Sequence, residues 1–392
     1  MRRNSTKKEI NLKVEFYRHQ LGEKELDGVK EVLDSLFLTT GPKTQEFERR
    51  FASYLAVNGC LGVTSWTMGN FITLKALDIG AGDKVLTTPL TYVATANTIL
   101  HTGAEPVFAD VDPVTGNLDL QATRKTLAEN KDIKALIVVH LYGQMADMKA
   151  LSRLAKEYGI YLIEDCAHCV EGKRDEVRPG QLSDAAVFSF YATKNMTCAE
   201  GGAIVSNNQS LLERIRPLRL HGVDTYAMDQ RKDGIYRHWD MTSLGYKCNM
   251  YDLSAALLLP QLARIEKTRK SRERLCKRYD NLLQGLDSIE IIPEVEGSTH
   301  AYHLYTIRVH PNKRDRILTK LSLRGVGVGV NFRVVHLMKY YTERFGFKAG
   351  DFPIAERIGS STISLPLYPS LAKDEQEYVV ETIKSILSEI GN

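Results

Sequence analysis

Three polar segments carry residue types that could do chemistry, and each follows a predicted β-strand. Asp165 comes directly after an apolar run, Lys194 lies in a polar loop closed by two glycines, and residues 65–67 form a hydroxyl-rich turn ahead of a predicted helix. Each segment has an ordinary explanation when it is taken alone. Acids favour helix N-termini, loop lysines are usually solvated charges, and a Ser or Thr before a helix is an N-cap.

Together the three segments meet the needs of one cofactor, pyridoxal 5'-phosphate (PLP). PLP requires an amine for its aldehyde, an anion beside its pyridine nitrogen and an anion-binding cradle for its phosphate. Lys194, Asp165 and the turn at residues 65–67 offer one group each. Because this conjunction is much less expected by chance than any single part, the sequence predicts a PLP site.

The elements that must position these groups are strands alternating with helices, the pattern of a mostly parallel sheet covered on both faces. Apolar residues at helical spacing also predict a crossover helix at residues 147–158. Ligands of such sheets bind at the carboxyl ends of the strands, where the polar segments are expected to meet. The predicted strands are residues 60–64, 84–88, 105–109, 135–140, 160–164, 185–190 and 202–206.

A chain of 392 residues is too long for one core, since single cores stop growing at roughly 250 to 300 residues. We predict a large domain with an N-terminal arm at residues 1–265 and a small α+β domain at residues 266–392. The small domain should contain a helix at 266–278, a β-rich run at 302–309 and a last helix at 374–390. The segment 325–329, Gly-Val-Gly-Val-Gly, lacks the full dinucleotide fingerprint and is predicted to be a strand with glycines.

Composition is that of an ordinary globular protein, with 43% hydrophobic and 26% charged residues. The net charge of +4 is spread along the chain, and the basic cluster of Arg2, Arg3, Lys7 and Lys8 is interpreted as a solvated tail. No nucleic-acid partner is expected. No stretch is long and apolar enough for a signal peptide or a membrane span, so we expect a cytoplasmic protein without a membrane partner.

The cysteines argue against both a disulfide scaffold and a metal site. Six cysteines are too few to hold together a chain of this length, and a reducing compartment would keep them as thiols. Cys166 and Cys169 form a CxxC around His168, but a metal site needs a second ligand pair at suitable spacing, and the sequence has none. We therefore expect no bound metal.

The motifs resemble those of the sugar aminotransferases of the DegT/DnrJ/EryC/StrS group. The likeness runs over nearly the whole chain, through residues 39–43, 163–165, 189–202, 221–222, 245–249 and 364–366. It implies the fold-type I architecture of aspartate aminotransferase: an α/β fold with a mostly parallel seven-stranded sheet and a smaller C-terminal α+β domain. It also implies a PLP-dependent transfer of an amino group from L-glutamate to a keto sugar, for lipopolysaccharide or another surface polysaccharide.

Site roles follow from the same resemblance. Lys194 matches the Schiff-base lysine, Asp165 the partner of the pyridine nitrogen, and Tyr92 the aromatic ring that stacks on the cofactor. His168 matches a contact of the cofactor ring. The residues that match phosphate ligands are Ser65, Thr67, Ser189 and, from the neighbouring subunit, Asn249. A site completed by the neighbour implies a homodimer.

The acceptor is less defined, because this chain departs from the family at Trp66. The family commonly has Ala or Gly between the hydroxyls of the phosphate cradle, and an indole there must either project into the substrate crevice or pack beneath the cofactor. We favour projection, with Arg333 and His336 as further substrate residues. Similarity at residues 194–202 and 332–341 points to the branch that makes UDP-4-amino-4-deoxy-L-arabinose. The bulk of Trp66 leaves open the branch that aminates free 8-keto-3-deoxy-octulosonate.

Two other functions are compatible with the fold. A PLP-dependent sugar dehydratase shares it, but the family's dehydratases replace the lysine with histidine, so Lys194 argues against this alternative. A sensory protein that keeps the fold without turnover would not need both Lys194 and Asp165. The sequence therefore favours an active aminotransferase.

Overall fold

The computed structural model describes residues 12–223, 236 and 238–391. The basic cluster at residues 2–8 lies outside the described residues. No helix in the described part of the chain is both long enough and apolar enough to cross a membrane.

A seven-stranded sheet forms the centre of the protein, and its strands follow the seven predicted runs to within two residues. Its spatial order is β1-β8-β7-β5-β4-β2-β3, and only β8 runs antiparallel to its neighbours. The carboxyl ends of the other six strands therefore lie at one edge, where β8 begins. In chain order the strands before the C-terminal part are β1 (Gly59–Val63), β2 (Lys84–Thr87), β3 (Glu105–Phe108), β4 (Ile133–Val139), β5 (Tyr161–Asp165), the short β6 (Lys173–Arg174), β7 (Ala185–Ser189) and β8 (Gly202–Ser206).

Helices cover both faces of this sheet. The predicted crossover helix begins at Met148, where the Asp147 carboxylate accepts the N–H of Ala150 at 2.9 Å, and it ends before Gly159 at a φ of 64°. The helices before the C-terminal part are α1 (Glu23–Leu33), α2 (Pro42–Leu55), α3 (Trp66–Ala76), α4 (Ala94–Thr102), α5 (Leu120–Glu129), α6 (Met148–Tyr158), α7 (Gln209–Leu218) and α8 (Asp252–Ala263). The predicted α/β fold is confirmed.

The C-terminal part has its own core around a three-stranded antiparallel sheet of order β12-β11-β9. The predicted helices at 266–278 and 374–390 are present and somewhat longer, and the predicted β-rich run is strand β11. The elements are α9 (Ile265–Leu283), β9 (Glu290–Ile291), β10 (Ser298–Thr299), β11 (Tyr305–Arg308), α10 (Pro311–Leu323), α11 (Lys339–Phe345), α12 (Pro353–Ser361), β12 (Thr362–Leu365) and α13 (Lys373–Ile390). The boundary at residue 265 stays a prediction.

Two details of the C-terminal part differ from expectation. The segment 325–329 is not a regular strand, since it makes only isolated bridges, from Val326 to Val14 and from Gly329 to Ser364. Val14 is buried in the C-terminal core cluster, although the N-terminal arm was predicted to belong with the large domain. Both differences have one cause, because the N-terminal residues around Val14 pair with this glycine-rich segment. The pairing draws Val14 into the C-terminal core and takes the place of a regular strand ladder.

Candidate active site

A cavity of about 470 Å³ lies where the carboxyl ends of the strands meet, and most of the predicted site residues line it. Asp165 ends β5, Ser189 ends β7, and the loop from β7 to β8 carries Lys194. The predicted residues that line the cavity are Ser65, Trp66, Thr67, Tyr92, Asp165, His168, Ser189 and Lys194. The structure thus brings together groups from four separate segments, while their individual roles stay predictions.

Asp165 is a buried carboxylate that two neighbours hold in place. Its Oδ2 accepts the hydroxyl of Thr95 at 2.9 Å, and its Oδ1 accepts the N–H of Ala167 at 3.1 Å. Thr95 is in turn paired with the Thr91 hydroxyl at 2.8 Å. Burial raises the pKa of Asp165, while these two hydrogen bonds and the charge of Lys194 oppose the rise. A cation beside this carboxylate would further favour its ionised form.

Lys194 has the electrostatic setting of a reactive amine. Loss of hydration lowers the pKa of Lys194 to about 8, and the nearby charge of Asp165 partly opposes that shift. The amino group makes no hydrogen bond to the residues that the structure describes. Near pH 8 about half of the Lys194 side chains would be neutral amines, the form that attacks an aldehyde.

The phosphate-cradle turn is an N-cap that leaves donors free. Ser65 caps α3, its Oγ accepting the N–H of Met68 at 3.1 Å, so the first backbone N–H groups of the helix point outward. Strand β8 supports this turn closely: a Cβ on Gly202 would lie 2.6 Å from Ser65 C and 2.7 Å from Trp66 N. Only glycine lets the strand approach so near. The result is an anion-binding helix N-terminus built onto the sheet edge.

His168 lies in a group of three rings that includes His303 and Phe332. Its ring centroid is 4.3 Å from that of His303 and 5.6 Å from that of Phe332. The Nδ1 of His168 accepts the backbone N–H of Tyr142 at 3.3 Å, so in the neutral ring the proton is on Nε2. Burial, followed by the charge of Lys194, holds the pKa of His168 well below its usual value, so the ring stays neutral.

His303 has the opposite tautomer. Its Nδ1 lies 3.2 Å from the Oδ1 of Asn195, whose amide N–H groups already donate to Glu171 at 2.9 Å and to Ala301 O at 3.0 Å. The amide oxygen of Asn195 is therefore the atom that faces His303, which must donate from Nδ1 and keep a lone pair on Nε2. Burial lowers the pKa of His303 well below its usual value too. The two imidazoles thus offer one donor and one acceptor.

Trp66 is buried, which favours the packing alternative. It is 6% exposed and belongs to a core cluster with Val63, Ile72 and Cys248. It also lines the cavity, and its Nε1–H is buried without a hydrogen-bond partner among the described residues. We expected the indole to project into the crevice. Instead it packs in the core cluster between α3 and the sheet, at the border of the cavity. The described residues thus leave this buried N–H available to a ligand.

Three predicted residues do not line this cavity. Asn249 is buried, donating to Thr40 Oγ1 at 2.7 Å and accepting Lys247 Nζ at 2.8 Å. Arg333 is exposed outside the cavity. His336 lies in the short turn at residues 335–337, where it is fully buried with its Nε2 3.0 Å from Glu356 Oε1, and its role toward substrate stays a prediction.

Several lining residues were missed from the sequence. Thr95 lies in the first turn of α4, four residues after Thr91 in the preceding loop, and the two hydroxyls are 2.8 Å apart. His303 and Phe332 come from the C-terminal part, and Phe16 and Tyr17 from the N-terminal arm. These long-range contacts leave no local signal in the sequence.

One group of three possible metal ligands occurs in the described part of the chain, formed by His140, Glu164 and Cys166. The ring nitrogens of His140 and the carboxylate oxygens of Glu164 already have partners. His140 Nδ1 accepts the N–H of Ala146 at 3.2 Å, so Nε2–H donates to Glu164 at 2.7 Å. The other Glu164 oxygen accepts the N–H of Gly180 at 2.8 Å. The cluster is a satisfied hydrogen-bond network beneath the cavity.

The residues present fit PLP on three grounds. Lys194 supplies an amine with a lowered pKa, Asp165 supplies a fixed buried carboxylate, and α3 supplies an N-terminus with unpaired donors. The N–H of Trp66 at the same helix start is a further donor, without an acceptor in the part of the chain that the structure describes. An aldehyde, a pyridine nitrogen and a phosphate on one molecule would satisfy these groups together.

Comparisons with known proteins agree with this site. The family model described as "DegT/DnrJ/EryC1/StrS aminotransferase family" matches residues 19–384. The spore coat polysaccharide biosynthesis protein SpsC of Bacillus subtilis is 40% identical over 373 residues, which cover 94% of this chain and 95% of SpsC.

Solved structures are similar over almost their full length. Spr1654 from Streptococcus pneumoniae, to which a sugar aminotransferase activity is ascribed, superposes in its PMP form with a TM-score of 0.90 at 28% identity, covering 96% of this chain and all of that one. PseC of Helicobacter pylori, an aminotransferase of pseudoaminic acid biosynthesis, superposes with a TM-score of 0.89 at 26% identity, with the same coverage.

Proposed function

The chain belongs to the DegT/DnrJ/EryC1/StrS aminotransferase family and is a PLP-dependent sugar aminotransferase, and from this premise we propose that it transfers the amino group of L-glutamate to a keto sugar destined for a surface polysaccharide. The observation that carries the proposal is the placement of Lys194 and Asp165 in one cavity with the N-terminus of α3. These are the groups that the cofactor and the reaction require.

The chain's own residues account for the chemistry. When bound, PLP supplies an electron sink for removal of a proton from the donor's Cα. Lys194 Nζ would hold the aldehyde and, once released, carry that proton, which requires a neutral amine. The pKa of about 8 makes this form available. Asp165, fixed by Thr95 and Ala167, would face the pyridine nitrogen and favour its protonated form.

The remaining cavity residues would bind and orient. Ser65, Thr67 and Ser189 would hold the phosphate with the N-terminus of α3, and the exposed ring of Tyr92 would cover the cofactor ring. His168, neutral and protonated on Nε2, would donate a hydrogen bond to a cofactor oxygen or to substrate without adding charge.

The class of acceptor is supported by the relatives' own descriptions. SpsC is named for spore coat polysaccharide biosynthesis, and PseC for pseudoaminic acid biosynthesis. Because a spore coat polysaccharide is a surface polysaccharide, we propose a keto sugar of that kind. A nucleotide-linked 4-keto sugar and free 8-keto-3-deoxy-octulosonate are the two acceptors to be distinguished.

We also propose a cytoplasmic homodimer in which the neighbouring subunit supplies Asn249. Among the large apolar side chains that are exposed are Leu33 and Leu36 at the end of α1, and Trp239 and Leu244 just before Asn249. Exposed apolar surface of this kind is typical of a subunit interface. All six cysteines are buried and unpaired, which is compatible with a reducing compartment.

The test follows both half-reactions by absorbance. Adding L-glutamate to the PLP form should convert it to the pyridoxamine form with release of 2-oxoglutarate. A panel of keto sugars, with and without UDP, should then restore the PLP form. The acceptor with the highest rate identifies the substrate class.

Two variants make the test specific to the proposed site. Lys194→Ala should abolish steady-state turnover while circular dichroism and melting temperature stay close to wild type, because a loop lysine contributes little to the core. Asp165→Asn should lower the rate by several orders of magnitude, since an amide does not keep the pyridine nitrogen protonated. Substantial turnover by Lys194→Ala would refute the proposal.

A further inference from the structure

The glycine-rich segment at residues 325–329 is the surface on which an N-terminal arm, residues 12–18, lies. The N–H of Val14 donates to Gly325 O at 2.8 Å, and the N–H of Gly327 donates to Val14 O at 2.7 Å. The Val14 side chain is buried in the C-terminal core cluster. The arm is therefore bound through backbone and side chain and is a structural part of the C-terminal region.

Glycine is needed in this segment because the arm approaches it closely. A Cβ on Gly327 would lie 2.4 Å from the backbone N of Phe16, and a Cβ on Gly325 would lie 3.1 Å from Leu12 O. A Cβ on Gly329 would lie 3.2 Å from Cζ of Phe16, so the Phe16 ring rests against this glycine. The repeated glycines thus determine where the arm lies.

The arm carries two aromatic side chains into the active-site cavity. Phe16 and Tyr17 both line it, and Tyr17 is 41% exposed, so part of this residue also faces solvent. The next residue, Arg18, fastens the arm again: its guanidinium is 3.6 Å from Glu375 and lies over the ring of Tyr368. Anchors on both sides hold the two rings in place.

We propose that Phe16 and Tyr17 form one wall of the binding site for the amino acceptor and determine which keto sugars are accepted, an inference that rests on the proposed function. The donor glutamate has an amino group and two carboxylates, and these are recognised by charged or hydrogen-bonding partners. The uncharged rings of Phe16 and Tyr17 offer no ionic partner. A sugar ring, or a nucleotide base attached to it, presents flat or apolar faces that pack on aromatic side chains.

The position of the rings agrees with this assignment. The reacting carbon must reach Lys194, and the rest of a large substrate must extend from there along other parts of the same cavity lining, which includes Phe16 and Tyr17. Glutamate is smaller than a keto sugar and is held through its charged groups, so it depends less on aromatic contacts. The rings should therefore matter for one half-reaction and not for the other.

The first experiment measures the two half-reactions separately in Phe16→Ala and Tyr17→Ala. The acceptor is the keto sugar with the highest wild-type rate in the panel described above. Removal of a stacking ring should lower the acceptor kcat/KM by about tenfold, while the glutamate half-reaction stays within about twofold of wild type. Tyr340→Ala is the matched control, since Tyr340 is an exposed tyrosine outside the cavity.

The second experiment moves the arm without changing its rings. Gly327→Ala places a methyl group against the Phe16 backbone and should reproduce the acceptor defect. Gly22→Ala is its control, because nothing lies within 4 Å of a Cβ at that position. Melting temperatures of all variants check that the fold is intact.

The outcomes separate this proposal from the proposed function. If the wild-type PLP form does not react with glutamate, the proposed function itself fails. If wild type reacts but both half-reactions fall equally in Phe16→Ala and Tyr17→Ala, the arm has only a structural role. If neither half-reaction changes, the rings do not contact the acceptor. Either of the last two results overturns the proposal.

Discussion

At the scale of single residues, the site depends on a buried amine and a buried carboxylate that act on each other. Burial lowers the pKa of Lys194 and raises that of Asp165, and each charge partly reverses the shift of the other. The balance leaves Lys194 close to half-protonated near pH 8. The nucleophile is therefore available under mild conditions without a separate base.

The pH dependence of PLP capture tests this balance. Because the protonated amine does not attack an aldehyde, the rate at which apoenzyme captures PLP should rise with pH, with a midpoint near 8. In Asp165→Asn the midpoint should move lower, since the Asp165 charge raises the pKa of Lys194. Stopped-flow absorbance gives the rates, and the same titration with Nα-acetyl-lysine corrects for the ionisation of PLP. A midpoint near the free-lysine pKa of about 10.4 would contradict this account.

Trp66 gives a second prediction at this scale. Since its indole is buried in the core, Trp66→Ala should cost about 3–5 kcal/mol of stability and loosen PLP. Trp66→Phe keeps most of the volume and removes only the N–H, so a drop in PLP or acceptor affinity without a large loss of stability would show that Nε1 binds a ligand. Melting temperature, PLP content and both half-reactions are measured. A wider acceptor range in Trp66→Ala at unchanged melting temperature would instead support a projecting side chain.

The site residues that could be predicted from the sequence are those that lie next to a predicted strand, because that position can be recognised from neighbouring residues alone. Asp165 ends β5, Ser65 follows β1 and Lys194 lies in the loop after β7, so the order of the strands alone predicts that they meet. His303 was missed because only the fold brings it beside His168. The burial of His336 beside Glu356 could not be predicted either, because the short turn that holds it has no pattern in the sequence.

At the scale of elements, the contact between α3 and β8 determines the geometry of the phosphate cradle. Gly69 on the helix faces Val63 and Val187 of the sheet, where a Cβ would lie 3.1 and 2.9 Å from their side chains. Gly202 on the strand faces the helix start. Strand β8 also ends the loop that carries Lys194, so one strand supports both the cradle and the lysine.

Gly202→Ala tests this support. The atoms nearest to a Cβ at this position are all backbone atoms, including Phe188 O at 2.8 Å. Neither the start of α3 nor strand β7 can move away without disturbing its backbone. We expect a loss of about 1–3 kcal/mol in stability and weaker PLP binding. Gly80→Ala is the control, since the nearest atom to its Cβ is Thr102 O at 3.6 Å. Equal PLP affinity in the two variants would show that the cradle does not depend on the close approach.

Elements were predicted well where burial and periodicity coincide. All seven strands of the large sheet were located because parallel strands buried on both faces form short apolar runs. The segment 325–329 was wrongly predicted to be a strand, because its glycines serve a contact with Val14 and not a ladder. Such a contact between chain ends has no local pattern.

At the scale of the whole molecule, the proposed homodimer is tested with mixed dimers of Lys194→Ala and Asn249→Ala subunits. If Asn249 acts in the neighbour's site, one of the two sites in a mixed dimer has both residues intact and should regain activity. The other site has lost both residues. Each parent homodimer measured alone is the control. Activity no higher than that of the Asn249→Ala homodimer would exclude a cross-subunit role.

The docking of the arm also bears on the order in which the enzyme becomes complete during synthesis. Val14 leaves the ribosome early, but the glycines that bind it follow roughly 300 residues later. The segments bearing Lys194 and Asp165 have all emerged by then, so a nascent chain can form the cofactor pocket before the aromatic wall exists. Protease sensitivity of the arm in stalled nascent chains would reveal this order, with protection expected only once residue 329 has emerged. Selectivity for the amino acceptor would then be established only after the cofactor pocket has formed in the nascent chain.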